Sequence, residues 1–184
     1  MIWATVKLEE AGIKSHKPKP QIITTNSHYH KMSETAQISN FKVFPKHTGV
    51  WEGTWTILNA DFQETQRFTA VLTQKIVDNQ WRQTNVQTYA NGKSETQNFV
   101  GHVVGEGQVE IESPDSIFSN YKTLATEVGD HLIVFQIWDK ATNILRAVET
   151  INLVSGDRRI RTTQSLTEEG KLRGVMVIVE QKIE

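Results

Sequence analysis

The stretch His47 to Ile57 reads HTGVWEGTWTI, with Gly49 two residues before Trp51, Gly53 two before Trp55, and apolar side chains recurring at every second position of one side. A period of two marks a β-strand with one face buried. Trp51 and Trp55 stand four apart and therefore share a face, and Gly53 between them leaves room for a close neighbour. The pattern favours a structural core role for Trp51. For Trp55, farther along the strand, core packing and ligand contact are both open.

The same pattern repeats outward from this strand. Segments rich in Val, Ile, Thr, Phe, Tyr and Trp recur between turn signals, and beyond Gly49 the only proline is Pro114. The spacing predicts strands at about 49–58, 65–77, 81–90, 94–104, 108–113, 118–127, 131–138, 144–154, 159–167 and 172–183. Turns such as Asp78-Asn79, Asn91-Gly92, Gly156-Asp157 and Glu169-Gly170 are too short for parallel crossovers and read as hairpins. An antiparallel meander of about ten strands has two exposed edges, and closure removes both. The expected fold is all-β, a closed antiparallel up-and-down barrel of about ten strands.

Residues 1–40 read differently. Pro18, Pro20, the patch KSHKPKP and a run of Ser, Thr, Asn and Gln offer little to bury against the entropy of ordering, so a mobile N-terminal extension is expected before a barrel domain at 41–184. Residues 1–31 are expected to be dispensable for folding, and a short turn at 40–47 to plug one barrel end.

The chain has 184 residues, 38% hydrophobic and 22% charged, with a net charge of -1. That suits one domain with a sizeable core and gives no electrostatic reason for a nucleic-acid partner. With no cysteine there is neither a disulfide nor a thiolate metal site, which fits a reducing cytoplasm. Glu9 and Glu10 interrupt any N-terminal signal segment, and no run approaches the roughly 20 apolar residues of a membrane span. GxGxxG, P-loop, GxSxG and HExxH patterns do not occur, so no catalytic or metal residues are assigned. His28 and His30 have an HxH spacing but lie in the expected extension.

Gly49-Val50-Trp51 fits the G-x-W pattern that opens the first strand of lipocalins. Extended to FPKHTGVWEGTWTI, with NQW at Asn79 to Trp81 and QNFVG at Gln97 to Gly101, the chain resembles a lipocalin-like family common in cyanobacteria over roughly 41–184. The resemblance implies a calycin-type barrel and no established activity. It also implies an arginine from the last strands over the first tryptophan, for which Arg161 and Arg173 are the candidates. The R-x-Y pair of fatty-acid-binding relatives has no counterpart in the final strand, RGVMVIVEQKIE.

Turn lengths set the register. With Gly156-Asp157 as a two-residue turn, Leu153 faces Ile160 and Glu149 shares a mostly apolar inner face with Gln164, while Arg159 and Arg161 point the other way. A tight Glu169-Gly170 turn continues that face through Arg173, Val175, Val177 and Val179, and the Asp139 to Asn143 loop brings Ile133, Phe135 and Ile137 beside Glu149. A carboxylate on an apolar wall needs a partner. Glu149 is therefore either a ligand anchor or a structural or rim residue paired with an arginine. In the 81–104 hairpin, an Asn91-Gly92 turn places Trp81, Gln83, Asn85, Gln87, Tyr89 and His102 on one face and Val86, Gln97 and Phe99 on the other, and periodicity does not choose between them. His102 and His131 are candidate axial ligands in the manner of haem-binding ten-stranded barrels, with a plain wall histidine favoured. The run of arginines at 158–161 reads as a solvated turn.

The candidate ligand wall is Trp55, Phe68, Trp81, His102, Ile133, Phe135, Glu149, Gln164 and Arg173. The expected function is a binding or carrier barrel for a small apolar or amphipathic molecule such as a pigment, isoprenoid or lipid fragment. An enzyme or haem protein on the same scaffold, such as a chromophore lyase or isomerase, and a side-chain-filled interaction module are the rivals. Cofactor and oligomeric state are left open.

Overall fold

The computed structural model describes residues 36–115 and 118–184. Ten strands alternate in direction: β1 (Gly49–Asn59), β2 (Glu64–Val77), β3 (Gln80–Tyr89), β4 (Ser94–Gly105), β5 (Gln108–Glu112), β6 (Tyr121–Val128), β7 (Leu132–Asp139), β8 (Leu145–Leu153), β9 (Arg158–Leu166) and β10 (Leu172–Lys182). Each pairs with its sequence neighbours, and β1 pairs with β10, which closes the barrel. Closure satisfies the backbone groups that an open meander would leave at its edges.

Two 3-10 turns, Ile38–Asn40 and Phe44–His47, plug the end where β1 begins. Ile38, Phe41, Val43 and Phe44 are buried with Trp81, Phe99 and Val109, so the plug starts upstream of Phe41. Glu127 at the end of β6 accepts the backbone N–H groups of Lys42, Val43 and Phe44 at 2.9, 2.5 and 2.7 Å. One carboxylate thus holds three donors that the short turn cannot satisfy itself. The expected dispensability of residues 1–31 lies outside the described residues.

Loop length decides which side chains enter the barrel. The Asn91-Gly92 turn is a three-residue loop: Tyr89 N donates to Lys93 O, and Gly92 takes φ +78°. The β8–β9 loop is likewise one residue longer than expected, with Val154 N bonded to Arg158 O and Leu153 opposite Arg159. One extra residue turns every following side chain to the other face. Arg159, Arg161 and Thr163 therefore point inward and Ile160, Thr162 and Gln164 outward, the reverse of the expected β9 orientation.

The β9–β10 loop also gains a residue, but a bulge between Leu172 and Gly174 cancels it, and Val175 still faces Gln164. The two strands turn over together, with Met176, Ile178 and Glu180 inside and Val175, Val177 and Val179 on the outer face. On β7–β8 a second bulge at Arg146 keeps Phe135 opposite Glu149 and Ile137 opposite Ala147.

Candidate functional site: the barrel interior

The interior is a stack of aromatic and aliphatic side chains crossed by a chain of buried charge. Arg161 donates Nε and Nη2 to Glu149 Oε1 at 3.0 and 2.5 Å, and Thr163 donates to Glu149 Oε2 at 3.0 Å. Arg159 Nε lies 2.5 Å from Glu180 Oε2, and Arg161 Nη1 reaches Glu180 Oε1 at 3.5 Å. All four side chains are fully buried in these pairs. Gly53 makes room for this arrangement: a Cβ there would stand 2.3 Å from Val179 O and 2.6 Å from Glu180 Cγ.

Each arginine lies over a tryptophan. Arg159 Cζ is 4.1 Å from the Trp51 ring centre and Arg161 Cζ is 5.2 Å from that of Trp55. The arginine over the first tryptophan is thus Arg159, neither Arg161 nor Arg173. Trp51 Nε1 donates to His47 O at 2.8 Å, which ties the first strand to the plug.

From Arg159 the network runs across the barrel. Arg159 Nη1 donates to Gln74 Oε1 at 2.6 Å, Gln74 Nε2 to Gln83 Oε1 at 2.6 Å, and Gln83 Nε2 to Asn85 Oδ1 at 2.9 Å. Nearer the open end the Tyr89 hydroxyl lies 2.8 Å from Gln87 Oε1 and 3.0 Å from Glu95 Oε2. Burial and the Glu95 hydrogen bond push the Tyr89 phenol up to about 12.

Burial alone would raise the Glu149 and Glu180 carboxyls, but the facing guanidiniums hold both below the usual carboxylate range. Arg159 is lowered to about 10 by burial and by its neighbour Arg161, against the pull of Glu180, and remains charged at neutral pH. The asymmetry is physical: Glu180 faces two guanidiniums, whereas Arg159 shares it with Arg161. His47 is held well below its usual value by burial and then by the Arg159 and Arg161 charges. Its Nδ1 is 3.1 Å from Arg159 Nη1. A guanidinium can only donate, so Nδ1 accepts and the neutral ring carries its proton on Nε2.

Five buried side-chain atoms among the described residues have no hydrogen-bond partner: His47 Nε2, Trp55 Nε1, Asn85 Nδ2, Arg146 Nε and Arg159 Nη2. With the His47 tautomer fixed as above, every one is a donor. A cavity of about 20 Å³ toward the open end is lined by Phe99, Ile111, Phe118, Tyr121 and Ile137 together with Glu112, Ser113 and Thr123. That is room for about one water molecule.

Of the residues expected on a ligand wall, Trp55, Phe68, Trp81, Ile133, Phe135 and Glu149 are buried inside the barrel. His102 and Gln164 lie exposed on the outer face, each on a strand beyond a hairpin loop one residue longer than assumed. Arg173 is the extra residue of the β10 bulge and is half-buried. His131 is also exposed, so neither histidine considered as an axial ligand points into the barrel. Glu149 was expected to be a ligand anchor or a structural or rim residue paired with an arginine; in the barrel Arg161 and Thr163 hold its carboxylate. Arg159, Arg161 and Glu180 were read as outward or not singled out. The signal that could have found them is the alternation R-x-R at Arg159 and Arg161, since two arginines on one strand face already demand facing carboxylates if that face is buried.

The sequence profile of the family described as "Domain of unknown function (DUF3598), N-terminal" matches residues 37–184. The chain belongs to the DUF3598 family. Among solved structures, the DUF3598 barrel is similar to a protein of unknown function of the same family from Nostoc punctiforme PCC 73102, with 14% identity and a TM-score of 0.56 over 78% of this chain. This chain covers 50% of that protein, about half its length. It is also similar to Rv2717c from M. tuberculosis, with 15% identity and a TM-score of 0.56, over 76% of this chain and 94% of that one. At these identities the likeness concerns the fold alone. No curated protein matches the DUF3598 barrel in sequence. Among its described residues no helix is long and apolar enough to cross a membrane.

Proposed function

We propose that the barrel is a noncatalytic binding domain for one small amphipathic molecule that presents hydrogen-bond acceptors to its interior. The observation that carries this reading is the one-sidedness of the unpartnered buried atoms: all five are donors. Leaving a buried donor unsatisfied costs about 1–3 kcal/mol, so five of them, spread from His47 and Arg159 at the plug end to Arg146 at the open-end bulge, favour oxygen acceptors supplied from outside the chain. The acceptors already inside, Glu149 and Glu180, are engaged by Arg159, Arg161 and Thr163 and support the frame. The cavity of about 20 Å³ limits the guest. Pigments and isoprenoids need a few hundred Å³, so the reading commits to a small molecule seated toward the open end, with Phe118 and Tyr121 turning aside to admit it.

Native mass spectrometry of the protein purified from its own host tests the reading. One bound molecule carrying carboxyl, carbonyl or phosphoryl oxygens is expected, and its extraction should lower the unfolding midpoint. A bare protein mass, with a midpoint unmoved by extraction, would count against it.

A further inference from the structure

Strand β10 carries an unbroken apolar run from Val175 to Val179. A strand with one face on a core and one in water alternates, whereas a continuous run marks a strand covered on both faces. Met176 and Ile178 fill the barrel, so Val175, Val177 and Val179 look outward, and Val179 is 59% exposed. Their neighbours continue the pattern. Val179 lies between Thr54 of β1 and Ile160 of β9, Val177 between Thr56 and Thr162, and Val175 between Leu58 and Gln164. These three rows contain no charge. Elsewhere the outer wall does: Lys75 pairs with Arg82 across β2–β3, and Glu110 stands on β5. Single apolar side chains on a surface need no partner, but a contiguous stretch marks an interaction site.

The charges that border this stripe decide what covers it. At the plug end the next row reads Glu52, Gln181, Arg158, with an acid and a base on either side of β10. Both stand on the rim of a shallow hollow floored by Thr54, Ile160 and Val179. Among the described residues neither is in a salt bridge. The Asp157 carboxyl feels the Arg158 charge but is hydrogen-bonded by the Ser155 hydroxyl at 2.6 Å. A two-fold axis lying in the interface and running along β10 exchanges the β1 side with the β9 side. It sets β10 on β10, lays Ile160 on the partner's Thr54, and brings Glu52 to the partner's Arg158 twice over. A border of one sign would repel its own copy, whereas this one is complementary to itself.

We propose that the outer face of β10, flanked by β1 and β9, pairs two copies of this chain about that axis. The pairing leaves both barrel interiors as they are and does not depend on what they hold. The face measures roughly 20 Å along β10 and roughly 15 Å across the three strands. That is small for a specific interface, so the pair is reversible, with a dissociation constant on the order of 10 μM.

Sedimentation of the full chain from about 1 μM to about 1 mM tests the proposal. The mass is expected to rise from 20.9 kDa toward twice that value. Val179→Lys sets two like charges against each other on the axis and is expected to hold the chain at the monomer mass, while Lys75→Glu on the far wall changes nothing. Glu52→Arg alone and Arg158→Glu alone are each expected to weaken pairing by about tenfold or more. An equimolar mixture of these two variants is expected to pair again, because each Arg then meets a Glu across the axis. Unfolding midpoints check that the variants fold. A monomer mass at every concentration would overturn the proposal, as would a dimer that survives Val179→Lys. A mixture that stays monomeric while the wild type pairs would overturn it as well.

Discussion

Replacing Arg161 by methionine removes one charge from the buried network and leaves its neighbours in place. Methionine keeps much of the length and apolar contact with Trp55, so the change isolates the guanidinium. Glu149 would keep only the Thr163 hydroxyl on Oε2. A buried carboxylate deprived of its partner costs about 3–5 kcal/mol. An independent route gives a similar figure. The carboxyl can escape by taking up a proton, and neutralising at pH 7 a group that titrates near 4.3 when unfolded costs about 3.7 kcal/mol. The protonation route adds a sign. With Arg161 gone, burial raises the folded-state value of Glu149 above its unfolded one, so the folded variant binds the extra proton and the deficit shrinks as pH falls. The expected change is about 1.4 kcal/mol per pH unit between pH 7 and 5. Urea unfolding followed by tryptophan fluorescence, on wild type and variant at both pH values, measures it, and the His47 contribution is shared by the two proteins to first order. Adding Glu149→Met should recover most of the loss, since an apolar pair of similar volume replaces a buried ion pair at little cost. A deficit below about 1 kcal/mol at pH 7, or one that does not change with pH, would refute the placement of Glu149 against Arg161.

Four further outcomes follow from the same geometry. Wild-type stability should fall as pH drops below about 6.5 with a slope of up to about 1.4 kcal/mol per unit, because the unfolded chain takes up a proton that buried His47 refuses; His47→Gln should flatten this limb, and an unchanged limb would contradict the buried neutral ring. Below about pH 4.3 a second loss is expected, as protonation of Glu149 and Glu180, both depressed in the folded state, releases the arginines; acid titration by circular dichroism reads it, and a flat profile there would count against the network. Trp51→Ala should cost about 3–5 kcal/mol, since the ring is fully buried under Arg159 and hydrogen-bonded to His47; an unmoved unfolding midpoint would contradict it. Glu127→Gln should loosen the plug, seen as faster tryptic cleavage after Lys42 and Lys46, and cleavage at the wild-type rate would show that its three backbone hydrogen bonds do not hold the segment.

The barrel was legible in the sequence because turn residues and alternation are local signals. Strands expected at 49–58 and 144–154 lie within a residue or two of Gly49–Asn59 and Leu145–Leu153. Loop length by one residue was not legible. Asn91-Gly92 and Gly156-Asp157 each suit a two-residue turn, and each sits in a three-residue loop. That single residue sent His102 and Gln164 outward and brought Arg159 and Arg161 in. Where a bulge absorbed the extra residue, as at Arg173, Val175 stays opposite Gln164, but both strands present the face opposite to the expected one. Glu149 was found on the inner face because the β7–β8 register tolerated its own bulge. Its partner was missed because it lies on the strand whose face had been reversed.

The central claim is that donors lining the barrel await the acceptors of a bound molecule. A crystal structure of the protein purified from its own host, at a resolution that orders water, tests it most directly. The account predicts non-water density at the open end, with an acceptor oxygen in hydrogen-bonding distance of Arg146 Nε. Water alone at all five donors, with Phe118 and Tyr121 closed over an otherwise filled barrel, would contradict it.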